Sequence, residues 1–276
     1  MSEPRFIFII GAARSGTKFI RSLFVDVPDT GVVPYDVNYI WRYGNQLLDH
    51  DCLPEHCAKL RIRRFVHSNL VRLAAGVSRN PSVIVEKTVS NCLRVPYVDK
   101  LFPESKFIHI IRDGRDVVES VARVQKTDVN DVAKWKKLLE MPISCLPYAL
   151  WFALDRASSS SNIWGPRYET MEVDLRENDL SIVAARQWLQ CVSAAKISLS
   201  QIEPGRVMEV RYEELVSDDS VVENIAQFAS VSTDLMLENY RKRLSVGNVG
   251  KGHSHYNENT NLIKELESPL LDLGYL

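Results

Sequence analysis

Two stretches of this chain carry residue types that can hold an anionic group. The first is Gly11-Ala12-Ala13-Arg14-Ser15-Gly16-Thr17-Lys18, directly after the apolar run Phe6-Ile7-Phe8-Ile9-Ile10. Glycines let a backbone approach a ligand closely, and successive amides at a helix start cradle phosphate. The second is Arg112-Asp113-Gly114-Arg115-Asp116, directly after Phe107-Ile108-His109-Ile110-Ile111. A guanidinium at the carboxyl end of a buried strand lies where open α/β sheets bind ligands, and its planar fork suits phosphate. Asp113 or Asp116 is expected to cap the following helix, with Arg115 solvated. The first loop differs from the nucleoside-triphosphatase pattern G-x-x-x-x-G-K-[ST]. There the Lys serves the β/γ-phosphates and the hydroxyl serves Mg²⁺. Here the order is Thr17-Lys18, which moves both groups. A phosphate-loop fold survives this inversion better than Mg-ATP chemistry does.

The elements that must position these loops can be read from apolar spacing. Buried strands are expected at 5–10, 82–85, 106–111 and 206–210. Helices are expected at 15–24, 54–77, 95–102, 117–124, 148–161, 182–201, 221–229 and 235–244, with Pro54 opening the second. Strands alternating with helices predict an α/β fold, a central parallel sheet flanked by helices. The polar stretch 247–261 reads as a loop, and 162–179 as an irregular insertion over the sheet. Without an internal repeat or a linker, residues 1–276 are expected to form a single domain.

Composition bounds the function. The chain has 276 residues, 45% of them hydrophobic and 25% charged, with a net charge of −1. That excludes a disordered tail, a fibre and a disulfide miniprotein, and it implies no bulk nucleic-acid or anionic-membrane binding. No apolar run approaches the ~20 residues of a membrane span, and the N-terminus lacks a basic leader region. The five cysteines are odd in number and form no CxxC. Reduced thiols and a cytoplasmic location are expected. His50, Cys52, His56 and Cys57 crowd one short stretch. Adjacent His56 and Cys57 make shared tetrahedral ligation awkward, so no metal is expected there. The basic residues Lys59, Arg61, Arg63, Arg64 and Arg72 read as a solvated helix face.

Five segments in order resemble sulfotransferases that use 3′-phosphoadenosine 5′-phosphosulfate (PAPS). Ala13-Arg14-Ser15-Gly16-Thr17 is similar to the family's 5′-phosphosulfate loop, with Lys18 in place of a commoner Thr. Glu86-Lys87-Thr88, followed by Asn91, is similar to its strand-to-helix E-K-T-x-x-N element. Residues 106–120 resemble its 3′-phosphate motif, whose Arg and Ser fall on Arg112 and Ser120. Arg211-Tyr212-Glu213-Glu214-Leu215 resembles a family strand end, and Gly250-Lys251-Gly252 its basic C-terminal loop. Arg14 and Arg112 bring the chain nearer the carbohydrate and tyrosylprotein branch.

The resemblance implies a phosphate-loop-containing nucleotide-binding fold and a sulfotransferase. PAPS would be the co-substrate and adenosine 3′,5′-bisphosphate (PAP) the product, with no metal required. Its donor-binding residues would be Arg14, Ser15, Gly16, Thr17, Lys18, Arg112, Ser120, Tyr212, Lys251 and Gly252. Lys251 would sit on a mobile loop that closes over the nucleotide. Arg14 and Lys87 would oppose charge on the leaving nucleotide; the plain alternative for Lys87 is a surface ion pair with Glu86. Asp36 is the candidate general base, against a turn-capping role after Pro34, with His253 and His255 as second choices. His109 is expected to be a core residue. The expected acceptor is a hydroxyl, or an amine, of a carbohydrate or other metabolite, a glycan or a peptide. Tyr35, Tyr39, Trp41, Arg42 and Tyr43 could face it, or could simply pack. Two rival readings are a Mg-dependent phosphate-loop kinase and a non-catalytic nucleotide-binding protein.

Overall fold

In the computed structural model, residues 3–75, 80–125, 142, 145–147, 150, 165–245, 247 and 249–276 are described. The expected helix at 148–161 falls almost wholly outside them. Five strands form one sheet: β1 (Arg5–Ile10), β2 (Thr30–Val32), β3 (Val83–Glu86), β4 (Lys106–Ile111) and β5 (Val207–Arg211). Their order is β2-β3-β1-β4-β5, and every pairing is parallel. The chain leaves β1 toward β2 and leaves β4 toward β5, in opposite directions. The crevice between the carboxyl ends of β1 and β4 is therefore the topological switch point, where such sheets bind ligands.

Alternation along each strand builds two apolar layers. Phe6, Phe8, Ile10, Ile84 and Phe107 face one layer, with Trp41, Tyr97 and Trp188. That layer is covered by α3 (Leu60–Ala75), α4 (Val95–Leu101), α5 (Gly114–Gln125) and α7 (Leu180–Leu199). The short helix α2 (Asn38–Trp41) precedes α3 in the chain, and α6 (Met171–Glu177) lies between α5 and α7. Ile7, Ile9, Val83, Val85, Ile108 and Ile110 face the other layer. It is covered by α1 (Thr17–Leu23), α8 (Tyr212–Ser217), α9 (Ser220–Ala229) and α10 (Thr233–Arg243). No helix among the described residues is long and apolar enough to cross a membrane.

Several expectations are corrected. The stretch 247–261 is not all loop: α11 (His253–Glu258) occupies it, and α12 (Thr260–Asp272) follows. Asn259 caps α12 by accepting from the amides of Asn261 and Leu262. Leu262, Leu266 and Leu270 bury one face of that helix, and Pro269 sits inside it. Pro54 does not open a long helix. Only a 3-10 turn, Glu55–Cys57, follows it, and α3 starts at Leu60. The insertion at 162–179 contains α6. Strand β2 was missed because Thr30-Gly31-Val32 is too short to show a period. Gly31 is there for space: a Cβ on it would meet Pro81 and Ala74 at 2.8 and 2.9 Å.

Candidate active site

The loop after β1 is shaped by two left-handed residues, Arg14 (φ 69°) and Gly16 (φ 95°). A non-glycine residue there costs about 1 kcal/mol or more. Arg14 is held from both ends: its carbonyl accepts from Arg112 Nη1 (3.2 Å), and its Nε donates to Ser120 Oγ (2.9 Å). Gly16 is needed for its φ and for space, since a Cβ would stand 2.5 Å from the Tyr212 ring. Tyr212 itself starts α8 at the end of β5. The Arg112 guanidinium lies 4.3 Å over its ring and 3.3 Å from Asp116 Oδ2. Trp188 on α7 braces the same point, donating Nε1–H to the Arg112 carbonyl (3.1 Å).

Lys87 and Asp36 meet on the other side of the loop. Lys87 Nζ donates to Asp36 Oδ2 at 2.6 Å, and Asp36 Oδ1 accepts the Val89 amide at 3.0 Å. Lys87 is 1% exposed and Asp36 24%. The expected alternative, a surface pair of Lys87 with Glu86, does not form. Glu86 is wholly buried and accepts from Thr88 Oγ1 (2.5 Å) and Asn91 Nδ2 (3.0 Å). Burial, opposed by the Thr88 bond and aided by the nearby Asp36 charge, pushes its carboxyl up to about 7. Thr88 Oγ1 also accepts the Val37 amide (3.0 Å), which ties the turn carrying Asp36 to the end of β3.

A pocket of about 190 Å³ opens here, lined by Arg14, Gly16, Thr17, Lys18, Phe19, Lys87, Val89, Arg112 and Tyr212. Burial lowers the pKa of Arg14, and so do Arg112 and Arg123. Burial and Lys87 do the same to Lys18. Cations held together at that cost are relieved by an anion. Ser15 supports this: it is fully buried, and its Oγ has no hydrogen-bond partner among the described residues. A hydroxyl left so costs free energy unless a ligand oxygen meets it. These groups fit a phosphate-bearing anion.

The sequence-derived set is thus largely brought together: Arg14, Ser15, Gly16, Thr17, Lys18, Lys87, Arg112, Ser120 and Tyr212 cluster, with Asp36 at the Lys87 side. Lys251 is exposed on its loop. That loop is docked rather than loose, because Asp116 accepts the amides of Gly250 and Gly252, both at 2.9 Å. Asp116 therefore does not cap α5. Asp113 does, accepting the Arg115 amide (2.9 Å). Arg115 is not solvated. It is 8% exposed, forks onto Asp113 and donates to the Tyr275 carbonyl (2.8 Å). His253 contacts Asp113 (3.3 Å) and does not line the pocket. His109 is a buried strand residue, as expected.

Two contributors were not foreseen. Arg21 stands one turn after Lys18 on α1, and the Asp36 and Glu86 charges act on it; its helical spacing was the available signal. Asp51 is 1% exposed and accepts from Asn38 Nδ2 (2.8 Å), Ser90 Oγ (2.8 Å) and the Arg167 amide (2.9 Å). It fixes the segment just after Asp36, and no local pattern marks it.

Residues 4–154 match a family model described as "Sulfotransferase family". A curated relative, protein-tyrosine sulfotransferase A of Caenorhabditis elegans, is 25% identical over 153 residues. That match covers 50% of this chain and 40% of the relative's length. Among solved structures, a sulfotransferase from Alicyclobacillus acidocaldarius aligns with a TM-score of 0.51 at 18% identity, covering 85% of this chain and 83% of that one. Sulfotransferase STF9 from Mycobacterium avium gives a TM-score of 0.52 at 12% identity, covering 98% and 77%. At these identities the structural likeness speaks for the fold.

Proposed function

The chain belongs to the sulfotransferase family, and on that premise we propose that it moves a sulfuryl group from PAPS to an acceptor hydroxyl. One observation carries the reading: the Asp36–Lys87 pair stands beside a pocket walled by Arg14, Lys18 and Arg112. A base and a set of anion-binding cations are what in-line sulfuryl transfer asks of a protein.

Each residue then has a task. Arg112 and Ser120 hold the 3′-phosphate, with Lys251 and Gly252 on the docked loop beside them. Ser15, Gly16, Thr17 and Lys18 hold the 5′-phosphosulfate. Tyr212 backs Gly16 and Arg112 and forms a wall for the nucleotide. Asp36 takes the proton of the acceptor hydroxyl as its oxygen bonds to sulfur. The bond from sulfur to the bridging oxygen breaks, and Arg14 and Lys87 oppose the charge that grows there. Lys87 also holds Asp36 in place. The acceptor is proposed to be a hydroxyl of a carbohydrate, another metabolite or a peptide. Similarity to a protein-tyrosine sulfotransferase makes a tyrosine-containing peptide the first to try.

The test is calorimetric titration with PAP, with and without Mg²⁺, on the wild type and Arg112→Ala. The expected result is Mg²⁺-independent binding that Arg112→Ala weakens by about ten- to a hundredfold, the worth of charge-assisted hydrogen bonds. Sulfur-labelled PAPS offered with tyrosine peptides and glycans then reads out transfer. Failure to bind PAP, or tight binding of Mg-ATP instead, would replace the sulfotransferase reading with the kinase one. Binding without transfer to any acceptor would favour a non-catalytic nucleotide-binding protein.

A further inference from the structure

We propose that His50, Cys52 and Glu169 form a zinc site that staples the loop after α2 to the turn before α6. One ligand atom from each of these residues lies within 4.8 Å of the other two. Zinc ligands in a tetrahedron, at ~2.0–2.3 Å from the ion, stand ~3.3–3.8 Å apart. A closure of about an ångström therefore places all three on one ion.

The sequence cluster is resolved into a different set than its crowding suggested. His56 and Cys57 leave on the 3-10 turn Glu55–Cys57 and are not members. Glu169, distant in sequence, takes their place. The backbone around the site is already fixed. Residue 51 turns its side chain away from the site, into the core network of Asn38, Ser90 and Arg167. The Asp51 amide donates to the Arg167 carbonyl (2.7 Å), and the Arg167 amide donates back to the Asp51 carboxylate (2.9 Å). These two bonds lock the two ligand-bearing segments together right beside the ligands. His50 and Cys52, flanking Asp51 in the chain, are left half-buried beside the exposed Glu169. His50 Nδ1 accepts the Cys52 amide (3.2 Å), which sets the ring beside the thiol; zinc ligation by either ring nitrogen exchanges this bond for the metal.

The donor chemistry selects the ion. One imidazole, one thiolate and one carboxylate form a borderline set that suits Zn²⁺ and disfavours Mg²⁺ or Ca²⁺, which take oxygen. Three protein ligands at the surface leave a fourth position to solvent. Zinc takes the thiolate, so ligation releases the Cys52 proton. None of the three ligands lines the pocket of Arg14 and Arg112, so the ion takes no part in transfer. Its work is to tie down the segments that Asp51 organises.

The test uses the full chain, stripped with a chelator and dialysed. Zn²⁺ is titrated in competition with a chromophoric chelator, and Co²⁺ is added separately as an optical probe. The expected result is one equivalent bound at submicromolar Kd, with a thiolate-to-cobalt charge-transfer band in the near ultraviolet. Cys52→Ser removes that band, and Glu169→Gln weakens Zn²⁺ binding at least tenfold. His56→Gln and Cys57→Ser change neither. Zn²⁺ raises the melting temperature of the wild type and not of Cys52→Ser, as linkage requires. Circular dichroism of each stripped variant checks that it is folded. Binding that persists unchanged in folded Cys52→Ser or Glu169→Gln, cobalt spectra without the thiolate band, or no binding beyond weak surface association would each overturn the site. PAP binding is measured alongside, so the zinc result stands or falls apart from the donor site.

Discussion

Lys87 Nζ and Asp36 Oδ2 stand 2.6 Å apart, and the lysine is buried to 1% exposure while the carboxylate reaches solvent. The acid is held by a cation it does not share with another carboxylate among the described ion pairs, and its second oxygen is steadied by the Val89 amide. Asp36→Asn keeps the shape and removes the proposed proton acceptor. Turnover is expected to fall ~10²–10⁴-fold, the range for general-base loss, with PAP affinity within about threefold of wild type. The same change leaves Lys87 buried beside a neutral group and costs about 2 kcal/mol of stability. Turnover, PAP titration and thermal unfolding of the one variant separate these effects; unchanged turnover would remove Asp36 from the chemistry.

Glu86 gives a pH signature. Its folded carboxyl titrates near 7, above its ordinary value. The folded chain therefore holds a proton that the unfolded chain has released between roughly pH 4.5 and 7. Its contribution is full below that window and is lost as pH rises through it. Wild-type stability relative to Glu86→Gln should decline from pH 5 to pH 8. A difference that stays flat or grows would contradict a raised carboxyl.

The docked C-terminal loop is the third target. A Cβ on Gly252 would collide with the Arg115 carbonyl, which is backbone and cannot yield. Gly252→Ala should lift the loop, and Asp116→Asn should weaken its hold on the Gly250 and Gly252 amides. Both are expected to weaken PAP binding about tenfold, as is Lys251→Ala. Limited proteolysis at the loop should speed up for the first two only. If Lys251→Ala binds PAP normally, the loop has no role at the 3′-phosphate.

Asp51 predicts acid sensitivity. Burial alone would raise its carboxyl, but Arg94, the Arg167 amide, Asn38 and Arg42 together hold it below the ordinary value. Its stabilisation is present above the ordinary carboxylate pKa and is lost as pH falls through the lowered one. Asp51→Asn should cost about 3 kcal/mol near neutrality, because Arg94 stays buried. The gap between wild type and variant should narrow below about pH 4. Denaturant melts across pH check both.

Much of this was legible in the sequence, for physical reasons. Strands β1 and β4 announced themselves as continuous apolar runs because both of their faces are covered. Arg112 stood out because a charge directly after such a run must be at a strand end, and Arg14 because it sits in the short Gly11–Gly16 loop that follows one. The missed parts depend on contacts that no local pattern encodes. Asp51 works through Asn38, Ser90 and Arg167, which are brought to it by three different segments. Arg115 reads as a surface residue until the Tyr275 carbonyl closes over it. Helix α11 hides in a polar stretch because only Tyr256 of its residues is buried.

The strand order separates two jobs in space. The ends of β2 and β3 deliver Asp36 and Lys87, and the ends of β4 and β5 deliver Arg112 and Tyr212, with the β1 loop as the partition. On the proposed reading the first flank supplies the base and the second holds the nucleotide, with Lys87 reaching the pocket from the first. The 33–53 stretch on the β2–β3 flank holds Asp36 and Asp51, so an exchange there must keep both residues and their partners. If that reading holds, acceptor choice can change around the base while the nucleotide side is kept, and a redesign for a new acceptor would begin on the β2–β3 flank.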